Sequence, residues 1–119
     1  MAEEKKYQGA CHCRKVRFET TLTLGAVLEC NCSICARVAA LRAFTPASHF
    51  KLLSGEEFLT DYQFGKQHLH HLFCKLCGVH SFASGTGPDG SLMHAINVRC
   101  LEGVEVGELE VTKYDGKKL

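Results

Sequence analysis

The chain has 119 residues, of which 45% are hydrophobic and 23% are charged, and its formal net charge is +1. These values are typical of one globular domain, and the near-neutral charge argues against the basic surface that nucleic-acid binding requires. The apolar stretches are too short to cross a bilayer, and the N-terminal MAEEKKY has no apolar segment of the kind found in signal peptides. We therefore expect one cytoplasmic domain over residues 1–119, with the nucleus as the alternative compartment and neither nucleic acid nor membrane as a partner.

Alternating apolar and β-branched residues predict a chain composed mostly of strands. In chain order, the predicted strands are 14–23, 27–29, 39–44, 50–53, 58–64, 67–73, 81–83, 92–98 and 109–112, the last of them an edge strand. One helix of at most two turns is predicted at 33–40, and Thr45-Pro46 predicts a single helical turn. The Gly, Pro and Asp residues of 84–90 indicate a loop. The prediction is an all-β domain of short strands, with metal ions holding its loops.

Cysteine is the unusual part of the composition, with eight residues in the chain. Seven of them lie in three tight clusters. The eighth, Cys100, follows a predicted strand and is expected to be a small buried residue. Thiols stay reduced in the cytosol, where clustered cysteines bind metal more often than they form disulfides. The clusters therefore predict metal sites.

The sequence CKLCG at 74–78 contains two thiols at a spacing that chelates one ion across a tight turn. The glycine after them can adopt a positive φ and leave backbone N–H groups facing the sulfurs. A closed structural zinc site needs four ligands, and Cys11 and Cys13 can supply the other two. We expect Cys11, Cys13, Cys74 and Cys77 to form one tetrahedral site that joins distant parts of the chain.

Three further thiols, those of Cys30, Cys32 and Cys35, lie within six residues. Three protein ligands plus water or substrate are typical of catalytic zinc, whereas structural sites have four protein ligands. Two alternatives follow from the chemistry, an open site and a site closed by a distant fourth residue. The candidates for that fourth ligand are Cys100, His94, His68, His70 and His71.

The histidines have simpler interpretations than metal binding. His68 and His70 would share one face of a strand and His71 would lie on the other, which is typical of a polar strand face. We expect His80 and His94 to be partly buried and neutral.

The order G-x-C-x-C, C-x-C-S-x-C and F-C-x2-C-G, at 9–13, 30–35 and 73–78, resembles the glutathione-dependent formaldehyde-activating enzyme family, which includes the centromere protein V-like proteins. The resemblance extends over about 9–105, and the segments 73–79 and 95–101 are most similar to the centromere protein V branch. It implies a β-tent fold of packed antiparallel β-sheets. It also implies a structural zinc on Cys11, Cys13, Cys74 and Cys77, and a second zinc with an exchangeable ligand on Cys30, Cys32 and Cys35.

The activity implied by the resemblance is the condensation of glutathione with formaldehyde to S-hydroxymethylglutathione, a carbon–sulfur lyase reaction in reverse. We therefore expect zinc-dependent carbon–sulfur bond formation or cleavage on a small thiol such as glutathione, with Cys30, Cys32 and Cys35 as the catalytic residues. Arg37 or Arg42 is a candidate partner for a substrate carboxylate, and the simpler alternative for both is a surface arginine. The alternative function is a non-enzymatic zinc-binding scaffold for a protein partner.

Overall fold

The structure is a computed structural model that describes residues 4–63, 69–87 and 89–115. Within these ranges the chain forms ten strands and one α-helix, so the predicted all-β class is confirmed. The strands are β1 (Glu4–Ala10), β2 (Arg17–Thr23), β3 (Ala26–Cys30), β4 (Arg42–Pro46), β5 (Phe50–Ser54), β6 (Leu59–Tyr62), β7 (Leu69–Cys74), β8 (Phe82–Thr86), β9 (Leu92–Asn97) and β10 (Glu110–Tyr114). The helix α1 is Ser33–Val38, and short 3-10 turns lie at Ala47–His49, Glu56–Phe58, Val98–Cys100 and Val106–Glu108.

The strands are arranged in two sheets. The smaller sheet has the order β1-β2-β5, and the larger has the order β10-β3-β4-β9-β8-β7-β6. The paired strands are antiparallel except for β10, which runs parallel to β3 at the edge of the larger sheet. This parallel pair makes the larger sheet mixed. No helix among the described residues has the length and apolar character needed to span a membrane.

The hydrophobic core lies between the sheets and is centred on three aromatic rings. Phe18 of β2 is fully buried, and its ring centroid lies 5.6 Å from that of Phe50 and 5.7 Å from that of Phe82. Phe82 belongs to the larger sheet, so the rings join the two layers. Gly9 of β1 packs against this ring so closely that an added Cβ would lie 2.2 Å from Cζ of Phe18. The close approach explains why this position has no side chain.

A row of directly paired residues crosses the outer face of the larger sheet, from β4 to β6. The row consists of Phe44, Ala95, Ala83, His71 and Tyr62. Directly paired residues share a face, and successive residues of a strand alternate between faces. Because Ile96, next to Ala95, belongs to the core, the row faces away from the smaller sheet. Phe44 and Tyr62 at its ends are about half exposed, whereas His71 is buried.

Several predicted bounds differ from the structure. The strand predicted at 39–44 is found at Arg42–Pro46, because Ala39 still caps α1. The sequence predicts no strand before residue 14, yet β1 pairs with β2 along all seven of its residues. Its Glu, Lys and Gln side chains favour strands weakly, and tertiary pairing overrides that preference. The loop predicted at 84–90 is wrong at its start, because residues 84–86 continue β8 and pair with β9. The helical turn begins one residue later than predicted, because Pro46 still belongs to β4. The predicted strand positions at 64, 67 and 68, with His68, lie outside the described residues.

Candidate metal centres

Four thiols from two distant segments meet beside the core. Cys11 and Cys13 follow β1, Cys74 ends β7, and Cys77 lies in the turn after it. Their sulfur atoms all lie within 4.8 Å of one another, and Sγ of Cys13 is 3.6 Å from Sγ of both Cys11 and Cys74. Zinc–sulfur bonds of about 2.3 Å in a tetrahedron place sulfurs roughly 3.8 Å apart. This four-cysteine group therefore fits one tetrahedral metal ion, as the sequence predicts.

The turn after β7 has the geometry expected of a metal-binding knuckle. The N–H of Gly78 donates to the carbonyl of Cys74 at 2.7 Å, and Gly78 has φ +79°. An added Cβ there would contact nothing within 4 Å, so the requirement for glycine comes from the backbone conformation alone. On the other arm, the N–H of Val16 donates to Sγ of Cys11 at 3.4 Å. A backbone N–H thus supports the sulfur of Cys11 in one arm, and in the other arm the Gly78 N–H closes the turn onto the carbonyl of Cys74.

The thiols of this group affect one another strongly. Burial acts to raise the pKa of Cys77, but N–H groups of Cys13 and Val79 and neighbouring thiols donate to its sulfur and lower the pKa to about 6. The N–H of Lys15 acts to lower the pKa of Cys13, yet burial and the adjacent thiols raise it to about 11. Four sulfurs this close cannot all carry negative charge without a cation between them. A divalent ion is the species that suits this arrangement.

A second group is formed by Cys30 at the end of β3, Cys32 immediately before α1, and Cys35 within it. The three sulfur atoms lie within 4.8 Å of one another, and the N–H of Cys32 donates to Sγ of Cys30 at 3.5 Å. Over 4–63, 69–87 and 89–115, no fourth histidine, cysteine or acidic side chain joins this three-cysteine group. Of the suggested closing ligands, Cys100, His94, His70 and His71 therefore lie elsewhere, and His68 is not among the described residues.

The thiols of the three-cysteine group lie in unequal environments. Burial raises the pKa of Cys35 to about 12, and the contact with Cys32 adds to this shift, while the charge of Arg42 opposes it. Burial also acts on Cys32, but N–H groups of Cys35 and Ile34 donate to its sulfur, and its pKa is lowered overall. The turn into α1 thus favours a thiolate at Cys32, and thiolate is the form that binds metal.

An open depression of about 380 Å³ lies beside α1, the helix that contains Cys35. It is lined by Ser33, Ile34, Arg37, Val38 and Tyr62. Ser33 and Ile34 lie between two of the cysteines in sequence, and Tyr62 ends the row on the outer face of the larger sheet. Its volume is within the range of sites that bind small molecules. The depression is thus lined by residues next to the cysteines in sequence, while Cys30, Cys32 and Cys35 themselves do not line it.

The two arginines considered from sequence have different positions. Arg37 is exposed, and its Nη1 donates to the carbonyl of Ser33 at 2.9 Å. Arg42 is only 4% exposed, so the surface alternative is wrong for this residue. It lies in β4, where pairing with β9 buries it, and its Nη1 donates to the carbonyl of Ala95 at 3.3 Å. The sequence pattern does not predict that Arg42 is buried.

The remaining histidines and Cys100 lie outside both groups. His70 forms a 2.6 Å contact with Asp61. It shares its face of β7 with Leu72 and Cys74, which pack in or against the core, so this face is not the polar face that the sequence predicts. His80 stacks on Phe73 and His94 on Phe50, and burial lowers the pKa of both histidines, in agreement with the predicted neutral state. Cys100 is partly buried in a 3-10 turn, where burial raises its pKa.

Residues 6–109 match the sequence model of the family described as glutathione-dependent formaldehyde-activating enzyme. The chain belongs to this family. A crystal structure of a Rhodobacter sphaeroides protein, a structural genomics target, is similar in sequence and fold, with 34% identity and a TM-score of 0.76. The match covers 88% of this chain and 99% of that chain. Family membership confirms the resemblance seen in the sequence, and the closer likeness to the centromere protein V branch stays a prediction. In this formaldehyde-activating family member, both cysteine groups lie within the matched residues.

Proposed function

We propose that this protein catalyses the reversible addition of a small thiol, glutathione in the first instance, to formaldehyde at the three-cysteine group. The observation that carries the proposal is three converging thiols with no fourth side-chain ligand among the described residues, one of them on a helix that lies beside a depression of about 380 Å³. The family description, glutathione-dependent formaldehyde activation, supports the same chemistry.

The donor set fits zinc at both groups. We infer two zinc ions per chain, one held by Cys11, Cys13, Cys74 and Cys77 and one held by Cys30, Cys32 and Cys35. Thiolates are soft ligands that suit zinc. Zinc at the three-cysteine group would supply Lewis acidity, which lowers the pKa of a thiol substrate toward neutrality.

The residues around the group have roles that follow from their positions. The side chains of Ile34, Val38 and Tyr62 give the depression apolar walls, and Arg37 beside them offers a cation to a substrate carboxylate. In the reaction, the thiol loses its proton and its sulfur forms a bond to the aldehyde carbon. The electron pair of the carbonyl π bond moves to the oxygen, which takes up one proton, and the reverse reaction is the carbon–sulfur lyase step.

One observation favours the scaffold alternative. Phe44 and Leu69 are at least half exposed, and their registers in β4 and β7 place both on the outer face of the larger sheet. Exposed apolar side chains on a sheet face are typical of contact with a protein partner. In that alternative the zinc ions would stabilise the fold, and no thiol would exchange at the protein.

Formaldehyde and glutathione combine without a catalyst, so the test is the rate of exchange and not the formation of product. Exchange NMR at equilibrium measures how fast free thiol and hydroxymethyl adduct interconvert. We expect zinc-loaded protein and Cys100→Ser, a control outside both groups, to accelerate exchange, and Cys32→Ser to show only the background rate. Equal exchange rates for the wild type and Cys32→Ser across several thiols, with no thiol-dependent spectral change in cobalt-substituted protein, would favour the scaffold.

A further inference from the structure

Arg42 is a buried cation that pairs with no acidic side chain among residues 4–63, 69–87 and 89–115. The ion pairs among the described residues are Lys6–Glu19, Arg14–Glu102 and His70–Asp61, none of which includes Arg42. Its guanidinium donates a hydrogen bond to the carbonyl of Ala95. An arginine stays charged in proteins, and a buried charge is costly unless an opposite charge compensates it. Within the described part of the chain, the compensating negative charge therefore comes from a group other than a carboxylate.

The strand register places Arg42 beside the three-cysteine group. Arg42 pairs directly with Leu28 of β3, so the two side chains share one face of the sheet. Cys30 lies two residues after Leu28 in the same strand and therefore shares that face as well. Arg42 also acts electrostatically on Cys35, in agreement with this placement.

The other ionisable side chains near Arg42 do not supply the negative charge. His71 and His80 both feel the charge of Arg42, and burial together with that charge lowers the pKa of each, so both are neutral near pH 7. Cys100 is also within its electrostatic reach, but burial raises the pKa of this thiol and keeps it protonated. Of the two cysteine groups, the three-cysteine group shares the sheet face of Arg42 and contains a thiol, that of Cys35, on which its charge acts. This group is therefore the anion that we assign to Arg42.

We propose that Arg42 is the positioning residue whose fixed positive charge balances the metal-loaded three-cysteine group. Three thiolates with one divalent cation carry a net charge of −1, which one guanidinium neutralises. A substrate thiolate added to the group would bring a second negative charge and make this cation more important. The inference rests on the proposed function only in requiring that Cys30, Cys32 and Cys35 bind zinc.

The test compares zinc affinity at the two groups in Arg42→Met, Arg42→Lys and Arg37→Met. Competition with a chromophoric chelator measures the affinities of the two zinc equivalents separately. The equivalent that is missing in Cys32→Ser is the one bound by the three-cysteine group. Arg42→Met should weaken zinc binding there roughly 10–100-fold, the usual effect of removing a residue that supports metal ligands. Zinc affinity at the four-cysteine group should stay unchanged. Arg42→Lys should recover most of the affinity because it restores the charge.

Arg37→Met is the matched control, since it removes the same charge from an exposed side chain close to the same group. Its effect should be small and should vanish at high ionic strength, whereas the effect of Arg42→Met should persist because buried charges are screened less. The proposal would be overturned if Arg42→Met left zinc affinity unchanged or lowered it equally at both groups. It would also be overturned if Arg42→Met and Arg37→Met had equal effects. A wild-type three-cysteine group that binds no zinc would overturn this proposal and the proposed function together. If zinc binding depends on Arg42 but the protein does not accelerate thiol exchange, only the proposed function would be overturned.

Discussion

Replacing Cys74 by serine tests whether the four-cysteine group holds the fold together. Cys74 is 1% exposed at the end of β7, and its sulfur lies 3.6 Å from that of Cys13, which precedes it by 61 residues. A serine hydroxyl is a poor zinc ligand, so Cys74→Ser should release the metal from this group. The cross-connection between β1 and β7 would then be lost.

The size of the effect follows from the lengths of chain that the two groups close. By the chain-entropy relation for cross-links, constraining the 61-residue separation of Cys13 and Cys74 contributes about 4 kcal/mol. The same relation gives about 2 kcal/mol for the short segment between Cys30 and Cys35. Cys74→Ser should therefore lower the free energy of unfolding by about 2 kcal/mol more than Cys35→Ser does. For a domain of this size that difference corresponds to a melting temperature lower by roughly 8 °C.

Thermal unfolding followed by circular dichroism measures this difference in the zinc-loaded proteins. Cys100→Ser serves as the control, because Cys100 belongs to neither group. Repeating the scans with a strong chelator should bring the wild type and Cys74→Ser close together, since the stabilisation comes from the metal. Equal losses in Cys74→Ser and Cys35→Ser would refute the assignment of separate structural and open sites, and so would a difference that the chelator leaves undiminished.

Two further predictions concern the order of zinc loss and the pH dependence of stability. Zinc-saturated protein should contain two equivalents of zinc by elemental analysis. Increasing amounts of a chelator should remove the zinc of the three-cysteine group first, because three protein ligands hold zinc less firmly than four. One equivalent at saturation, or simultaneous loss of both, would contradict this prediction. Burial lowers the pKa of His94 below 6.5, so the unfolded chain takes up a proton before the folded chain does, and stability falls as pH drops below 6.5. His94→Phe keeps an aromatic ring against Phe50 but removes the titrating group. In this variant the midpoint of urea unfolding should fall less at acidic pH than it does in the wild type. An unchanged pH dependence would show that His94 does not contribute.

The cysteine groups were predictable from sequence, because each cluster is local and the number of ligands that zinc needs restricts how clusters combine. Cys74 and Cys77 supply only two thiols, so a second pair had to approach them, and Cys11 and Cys13 do so. The helix predicted at 33–40 is also found, two residues shorter, because Ala39 adopts φ +61° and ends it. Short-range spacing carries this kind of information reliably.

The environment of Arg42 could not be predicted in the same way. Its burial depends on which strands flank β4 and in which register, and a shift of one residue would reverse the face that each side chain occupies. The presence of Tyr62 and α1 around one depression depends equally on the order of strands in the larger sheet. Strand β1 was missed for a related reason, since pairing with β2 and not its own composition makes it a strand.

The two cysteine groups differ in how their sulfurs relate to the core, and this difference separates what each can do. In the four-cysteine group, Cys11 and Cys74 are buried and four thiols already complete a tetrahedron, so a further ligand has no position to occupy. In the three-cysteine group, Cys30 and Cys32 are partly exposed, and three thiols are one ligand fewer than a tetrahedral ion takes, so under the proposed function the fourth ligand would be exchangeable. A buried arginine on the same sheet face then provides positive charge where thiolates accumulate. One group thus suits holding the fold, and the other suits chemistry on a thiol.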